Sequence, residues 1–208
     1  MGAVSLLIGH FLPWAAHSTA ALTQSGHDLA ISTNFTPGAG IFANEWFFVP
    51  VWAAGFLLAL TMHTTTLPPM TRLIGLALAL GMVSLGLPTY PQVLTAWQSP
   101  DYRAQFFVTL VVMALVLWVT LRRRPTAAGD WRFLSLGCAV MCAVPLIGYP
   151  LIKPAIETLY QDAVGLGAGW WVSIGAVIAL LVDASATIMG SSIGSSPVEA
   201  SHPATRPR

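Results

Sequence analysis

The chain has 208 residues, of which 55% are hydrophobic and only 8% are charged. An ordinary soluble domain carries about 25% charged residues, so this composition excludes a water-soluble globular protein. The formal net charge of +1 provides no basic surface dense enough to neutralise a row of phosphates, which excludes nucleic acid as a partner.

Six apolar stretches follow one another along the chain and predict an integral membrane protein. A helix needs about 20 apolar residues to cross the hydrocarbon core, since each residue rises about 1.5 Å across about 30 Å. The predicted spans are 3–22, 46–63, 70–90, 104–121, 131–152 and 169–190. The first is the weakest, because a membrane exit at Leu12-Pro13-Trp14 would make it a short span followed by a long loop. We therefore predict an all-α bundle of five to six transmembrane helices over residues 1–190, followed by a polar tail, 191–208.

The connections between the spans differ in character. Residues 23–45 form a polar, glycine-containing outer segment, and we expect it to be helical around Asp28 to Ile31. In 151–168, apolar and polar residues are spaced as in a short amphipathic helix that lies on the bilayer surface. The Ser- and Pro-rich tail has no apolar period, so we predict that it is disordered when alone.

The basic residues predict the orientation of the bundle. Cytoplasmic loops carry an excess of Lys and Arg, and six spans with both termini in the cytoplasm place seven of the nine basic residues on that side. These seven are Arg72, Arg122, Arg123, Arg124, Arg132, Arg206 and Arg208, whereas Arg103 and Lys153 lie outside. Tryptophans near both predicted membrane surfaces favour the same topology.

One acidic residue, Asp183, lies inside the last apolar stretch. It is 14 residues from Gly169, or about 21 Å along a helix, which places it in the inner third of the membrane. Intramembrane acids usually face the bundle interior, pair with a base or line an ion path. The candidate partners at similar depth are His63, Arg72 and Arg122. A structural pair is favoured over a proton or ion site, because the spans contain no second acid that would make a relay.

Histidines near the spans raise the question of haem, and cysteines that of copper. A b-type haem needs two histidines at matched depth on facing helices, but His10 and His17 share one segment and His63 lies near the opposite surface. Cys138 and Cys142 lie four residues apart on one helix face, where packing is the common role of cysteine. The sequence therefore assigns no metal site and no bound cofactor, and it leaves His10 as a further intramembrane polar candidate.

Motifs of known catalytic sites are missing from the sequence. It contains no phosphate-binding loop, no His-Glu-x-x-His motif, no Gly-x-Ser-x-Gly elbow and no Cys-x-x-Cys pair. We therefore predict no catalytic residues and expect no catalytic activity of the chain on its own.

Small residues predict where helices approach each other closely. Pairs spaced four apart let two backbones meet and pack by dispersion. Such pairs are Gly75 with Ala79, Ala77 with Gly81, and Gly175 with Ala179. They pack either within the chain or against other subunits, and the sequence favours neither. Pro145 and Pro150 should kink the fifth span, which can open a groove for a lipid or quinone tail.

Three stretches carry a resemblance to known proteins: Leu12-Pro13-Trp14, Ser25-Gly26-His27-Asp28-Leu29, and Gly169-Trp170-Trp171 with Gly175. They resemble a pattern in small polytopic inner-membrane proteins of bacteria whose function is unknown. Within that group, the chain is similar to an accessory membrane subunit of a phototroph's electron-transfer assembly such as alternative complex III.

The resemblance implies a multi-pass protein of the bacterial inner membrane. It implies a non-catalytic accessory or stabilising subunit of a quinone-linked electron-transfer complex, with lipids and other integral membrane subunits as partners. A lipid or quinone site would then lie at its border. The alternative is a small transporter or channel in which Asp183 binds a proton or an ion.

Overall fold

The computed structural model describes residues 2–19, 22–33, 45–65, 67–122 and 128–193, without the side chains of 128–132 and 186–193. Within these residues the chain is mostly helical (79%), which confirms the predicted class at that level, and it forms seven α-helices. They are α1 (Gly2–Phe11), α2 (Gly26–Ser32), α3 (Glu45–Thr64), α4 (Pro69–Ser84), α5 (Pro100–Leu121), α6 (Ala128–Tyr160) and α7 (Ala168–Ile193). The predicted tail from residue 194 onwards, Arg123 and Arg124 lie outside the described residues.

Four of the helices are long and apolar enough to cross a membrane. They are α3, α5, the stretch Phe133–Tyr160 of α6 and the stretch Ala168–Ser185 of α7. Helix α1 has 10 residues and α4 has 16, so they extend only about 15 Å and about 24 Å. Helix length and composition therefore support four spans, and a fifth and a sixth stay a prediction.

A small antiparallel sheet, which the sequence did not predict, lies at one end of the bundle. Its strands are β1 (Pro13–Ala16), β2 (Gln24–Ser25) and β3 (Gly165–Leu166), in the order β2-β1-β3. Trp14 of β1 packs edge-on against Phe47 in the first turn of α3, with ring centroids 5.9 Å apart, so α3 begins at this end. We call it the sheet end, and we call the opposite end, which carries Arg72 and Arg122, the arginine end.

Two prolines at the sheet end remove backbone donors that tryptophans replace. Proline lacks an N–H and leaves the carbonyl four residues earlier without its helical partner. Pro13 does this to Gly9, whose carbonyl accepts a hydrogen bond of 2.8 Å from Trp14 Nε1. Pro150 does it to Leu146, whose carbonyl accepts a 3.0 Å bond from Trp170 Nε1 on α7. In both places an indole supplies the donor that the backbone lacks.

Helix α6 has 33 residues and continues to Tyr160 through Pro145, Pro150 and Pro154. The prediction of a separate interfacial helix within 151–168 is therefore wrong, because residues 151–160 are the last turns of α6. The helix ends where Gln161 takes a φ of 52°. Glu157 then fixes the turn into β3 by accepting hydrogen bonds from Lys153 Nζ at 2.6 Å and from the Val164 N–H at 3.0 Å.

Helix α3 lies at the centre of the bundle. It packs against α1, α2, α4, α5 and α6, and most of its residues are buried. Helix α7 packs mainly on α1 and α6, and α5 has a largely exposed apolar surface that includes Phe107, Val111 and Trp118. This arrangement, with apolar side chains on both the inside and the outside, suits a bundle surrounded by lipid.

The first of the three predicted small-residue pairs packs inside the chain. Gly75 and Ala79 of α4 are buried against α3. A Cβ on Gly75 would lie 2.6 Å from the Met62 side chain. This pair therefore lies where α4 packs closely on α3.

The other two pairs lie on the outside of the bundle. Ala77 and Gly81 on α4 are exposed, and so are Gly175 and Ala179 on α7. No described atom lies within 4 Å of a Cβ added at Gly81 or Gly175. Ala77, Gly81, Gly175 and Ala179 are therefore exposed in the described chain, and the alternative that they pack against other subunits stays a prediction. The physical reason is that α4 and α7 each turn a different face toward their neighbours, with Ala176 and Val177 rather than Ala179 buried on α7.

The connection between α4 and α5 is held by a buried carbonyl. The Gly86 carbonyl accepts hydrogen bonds from Gln105 Nε2 at 3.0 Å and from Thr109 Oγ1 at 2.9 Å. A Cβ on Gly86 would overlap Trp52 Nε1, so the indole occupies the space of a side chain. Glycine at this position lets α3, α4 and α5 meet.

Candidate functional site

The predicted polar residues are distributed over both ends of the bundle. His63 ends α3, Arg72 lies in the first turn of α4, and Arg122 caps the C-terminus of α5. Asp183 is on α7 with an exposed side chain, and His10 is completely buried near the sheet. The structure brings together only some of these residues.

His63 and Arg122 line the same cavity at the arginine end. This cavity has a volume of about 350 Å³, and Leu60, Trp118, Val119, Phe133 and Leu134 form the rest of its wall. The guanidinium of Arg122 lies 5.0 Å from the centre of the Trp118 ring, within the range of a cation–π contact. Arg122 forms no ion pair with any acidic residue whose side chain the structure describes.

Arg72 and Asp183 lie outside this cavity. The Arg72 guanidinium is exposed and donates a long hydrogen bond of 3.4 Å to the Thr65 carbonyl. Asp183 belongs to α7, which packs on α1 and α6 rather than on the helices that carry His63 and Arg122. The prediction that Asp183 contacts one of these three basic residues or a polar backbone group stays a prediction.

A larger apolar groove adjoins this cavity on the side of the sheet end. It has a volume of about 700 Å³ and shares Phe133 and Leu134 with the cavity at Arg122. Helix α3 forms its floor with Val49, Ala53 and Phe56, while α5 and α6 form its two walls. We call this space the α5–α6 groove.

The α5–α6 groove and the adjoining cavity are long when taken together, and their two outer ends differ in charge. The groove and the cavity together follow α3 from Glu45 to His63, which is about 27 Å of helix and close to the thickness of a hydrocarbon core. Glu45 lines the groove at the sheet end, and Arg122 lines the cavity at the arginine end. The wall between them is almost entirely apolar, so the space fits an extended hydrocarbon chain.

A second group of polar side chains lies beneath the sheet. The rings of His10 and His27 lie edge-on with centroids 5.7 Å apart, and His27 also contacts Phe48. Both ring nitrogens of His10 and Nδ1 of His27 are buried without a hydrogen-bond partner in the described part of the chain. No group of three His, Cys, Asp or Glu side chains suited to a metal ion occurs among the described residues.

The position of His27 is fixed by the start of α2. Ser25 and Asp28 form a capping box, in which the Asp28 N–H donates to Ser25 Oγ at 3.1 Å and the Ser25 N–H donates to Asp28 Oδ2 at 2.9 Å. The helix includes the stretch that was predicted to be helical. Burial lowers the pKa of His27 from its ordinary value of 6.5, because it removes water from the charged form, and Asp28 partly opposes this effect.

A third cavity, of about 300 Å³, lies beside His27. Its polar lining comes from His27, Ser84, Thr89, Tyr102 and Gln105. Gln105 is already engaged with the Gly86 carbonyl. This small cavity is more polar than the α5–α6 groove and is separated from it by the packing of Trp52 on Phe48 and Gly86.

Two of these relationships between residues could not be read from the sequence or were overlooked in it: His10 with His27, and Trp118 with Arg122. His27 was named only as part of a motif and was not paired with His10, because the fold brings together residues on either side of an unpredicted strand. Arg122 was named without Trp118. That contact could have been found, since residues four apart on a helix are neighbours.

Comparison with protein-family models, with curated proteins and with solved structures finds no match to this chain.

Proposed function

We propose that the chain is an integral membrane protein of the bacterial inner membrane that acts as a non-catalytic accessory subunit of a quinone-linked electron-transfer complex. In this proposal α1 and α4 join the four long helices, giving five to six spans with both termini in the cytoplasm. The arginine end then faces the cytoplasm, in agreement with the excess of basic residues there.

The α5–α6 groove is the observation that carries the proposal. It is apolar along its length and open to the side of the bundle between α5 and α6, and together with the cavity at Arg122 it follows about 27 Å of α3, close to the thickness of a hydrocarbon core. A catalytic or transport site usually combines a pocket with several convergent polar groups, whereas Glu45 is the only charged residue among the described residues that line this groove. Its shape therefore supports a role in holding hydrophobic molecules at the border of an assembly.

The outer surface of the bundle supports contact with other subunits. Gly175 and Ala179 on α7 form an exposed pair of small residues, and Ala77 and Gly81 on α4 form another. Such pairs let a neighbouring helix approach closely. Asp183 is exposed on the same helix, and a carboxylate is costly where it faces lipid. A neighbouring helix on this face of α7 would cover both features.

The transporter alternative has less support. A transport path through Asp183 needs further polar groups around it, but Asp183 lines neither the cavity at Arg122 nor the α5–α6 groove. The two basic residues of the cavity lie on other helices. The accessory role is therefore the better proposal.

Co-purification tests the proposed partnership. The tagged chain is extracted from its native membrane in a mild detergent, and proteins and quinones that remain bound are identified by mass spectrometry. We expect redox subunits of one complex to co-purify with the wild-type chain and to be lost with Gly175→Leu, while Gly137→Leu retains them. Both glycines have open space at Cβ among the described atoms, but only Gly137 lies inside the groove. A monodisperse wild-type monomer without any co-purifying protein would refute the proposal.

Labelling of introduced cysteines tests the proposed orientation. Thr126 lies in the predicted cytoplasmic loop 122–131, outside the described residues, and Thr126→Cys is made in a chain whose two native cysteines are replaced by serine. An impermeant thiol reagent should label this cysteine only after the membrane is opened. Labelling from outside intact cells would contradict the proposed topology and favour the opposite orientation.

A further inference from the structure

The α5–α6 groove and the cavity at Arg122 together have the form of a site for an amphiphile. The groove is apolar, and the cavity beside it, which shares the wall residues Phe133 and Leu134, is lined by the imidazole of His63 and the guanidinium of Arg122. An apolar groove with a cation in the adjoining cavity fits a molecule with a hydrocarbon chain and an anionic head.

We infer that this site binds an anionic phospholipid from the surrounding membrane. The phosphodiester is held at Arg122 and His63, and one acyl chain extends along the α5–α6 groove toward the sheet end. Basic pockets between transmembrane helices are known to bind the head groups of anionic lipids. The inference rests on the proposed membrane location of the chain, and it does not depend on the proposed electron-transfer partner.

The charge of the site selects the head group. Among the residues whose side chains the structure describes, none is an acidic partner of Arg122, so its charge can be compensated by the phosphate of a lipid. A neutral quinone ring offers no charge to the guanidinium, and a zwitterionic head group brings its own cation close to it. An anionic phospholipid therefore matches the cavity better than either.

The two ends of the site determine the direction of the lipid. Glu45 lines the groove at the sheet end, where its carboxylate would repel a phosphate. Arg122 lies at the other end, about 27 Å away along α3 and α5. Electrostatics therefore place the head group at the arginine end, which is the cytoplasmic side in the proposed topology.

Trp118 prepares Arg122 for this contact. The indole supports the guanidinium at 5.0 Å, which restricts a side chain that otherwise has many rotamers. A binding group that is already oriented loses less conformational entropy when the ligand arrives. Trp118 is also 58% exposed, as expected for an aromatic residue at the level of the lipid head groups.

Lipid binding to the purified chain tests the head-group contact. The delipidated protein is titrated with phosphatidylglycerol or phosphatidylcholine in detergent, and bound lipid is counted by native mass spectrometry. We expect one tightly bound phosphatidylglycerol and weaker binding of phosphatidylcholine. Arg122→Gln should weaken the binding of phosphatidylglycerol by about fivefold, which corresponds to about 1 kcal/mol for one basic residue, and Arg122→Lys should restore most of it.

Matched variants separate this site from a general attraction of anionic lipid to basic residues. Arg72→Gln removes a charge at the same end of the bundle but outside the cavity, and we expect its binding to equal that of the wild type. Gly137→Leu fills the groove, where the described structure leaves space at Cβ, and it should reduce binding of the acyl chain. Gly175→Leu, on the outer face of α7, should leave binding unchanged.

Two results would overturn the inference. One is equal affinity of the wild-type chain for the two lipids, and the other is an equal loss of binding in Arg122→Gln and Arg72→Gln. These measurements use the isolated chain, whereas the proposed accessory role is tested by proteins that co-purify. A failure of one proposal can therefore be distinguished from a failure of the other.

Discussion

The bond from Trp170 to the Leu146 carbonyl predicts a specific coupling between two positions. Trp170→Phe removes the indole donor and leaves the carbonyl that Pro150 deprives of its helical N–H without a partner. An unsatisfied carbonyl shielded from water costs about 1–3 kcal/mol, so we expect the free energy of unfolding to fall by that amount. In a chain that carries Pro150→Ala, residue 150 regains an N–H that can reach Leu146, and the same substitution should then cost much less.

A double-mutant cycle measures this coupling. The four proteins, namely the wild type, Trp170→Phe, Pro150→Ala and the double variant, are unfolded in mixed micelles by a rising fraction of a denaturing detergent, with helix content followed by circular dichroism. We expect a coupling free energy of at least about 1 kcal/mol, within the range found for residues that share a partner. Trp171→Phe is the control, because Trp171 is 58% exposed, and it should change stability by less than about 0.5 kcal/mol. An equal cost of Trp170→Phe in both backgrounds would refute the proposed replacement of the backbone donor.

Three further substitutions test other parts of the structure. Gly86→Ala places a methyl group against the rigid ring of Trp52 and should destabilise the protein by about 1–3 kcal/mol in the same detergent titration. Gly81→Ala is the control, because a Cβ there has open space among the described atoms. Equal effects of the two substitutions would contradict the close packing of Trp52 on Gly86. Gln161→Gly removes a side chain from a left-handed conformation and should raise the free energy of unfolding by about 1 kcal/mol, so a loss of stability would contradict the described end of α6. Because burial lowers the pKa of His27, the unfolded chain binds a proton first as the pH falls through about 6.5, and stability should decrease below that pH. His27→Gln should remove part of that decrease, and an unchanged pH profile would argue against its burial.

The long helices could be predicted because their signal is local. Residues 46–63 and 104–121 were predicted as spans, and the structure has helices at Glu45–Thr64 and Pro100–Leu121. A continuous apolar run of this length predicts a helix that is removed from water, and this prediction needs no knowledge of the neighbouring segments. The exact ends depend on capping and on proline at the first turn, which explains the few residues of difference at α5.

The small-residue pairs show what residue spacing alone cannot predict. The spacing of Gly175 and Ala179 is the same as that of Gly75 and Ala79, yet only the second pair is buried. Spacing indicates that a helix face can be approached closely, but not which face meets a neighbour. That choice depends on how the whole bundle is arranged.

The sheet could not be predicted because its strands are too short to have a pattern. Strands β2 and β3 have two residues each, fewer than the four at which period-two alternation becomes visible, and β1, with four residues, does not alternate in burial. Pro13 indicates that α1 ends, but it does not indicate that the following residues pair with 165–166. That pairing depends on contacts between distant parts of the chain.

The candidate site, too, could be predicted only in part. Arg122 and His63 were found because polar residues near the ends of apolar runs are visible in the sequence. The groove was missed as a specific place, since it exists where α5 and α6 lie on the same central helix without filling the space between them. The prolines of α6 suggested a groove, but only the packing identifies its walls.

The pairing of α1 with α7 has a consequence for synthesis of the protein. These are the first and the last described helices, and their backbones meet so closely that a Cβ on Gly9 would overlap Ser173 Oγ and one on Gly169 would overlap the Leu12 carbonyl. A ribosome that adds about 5–20 residues per second needs roughly 8–30 s to travel from the end of α1 to the start of α7. During that interval α1 lacks its main neighbour, so this helix reaches its final packing only after the ribosome has passed most of the chain that separates it from α7.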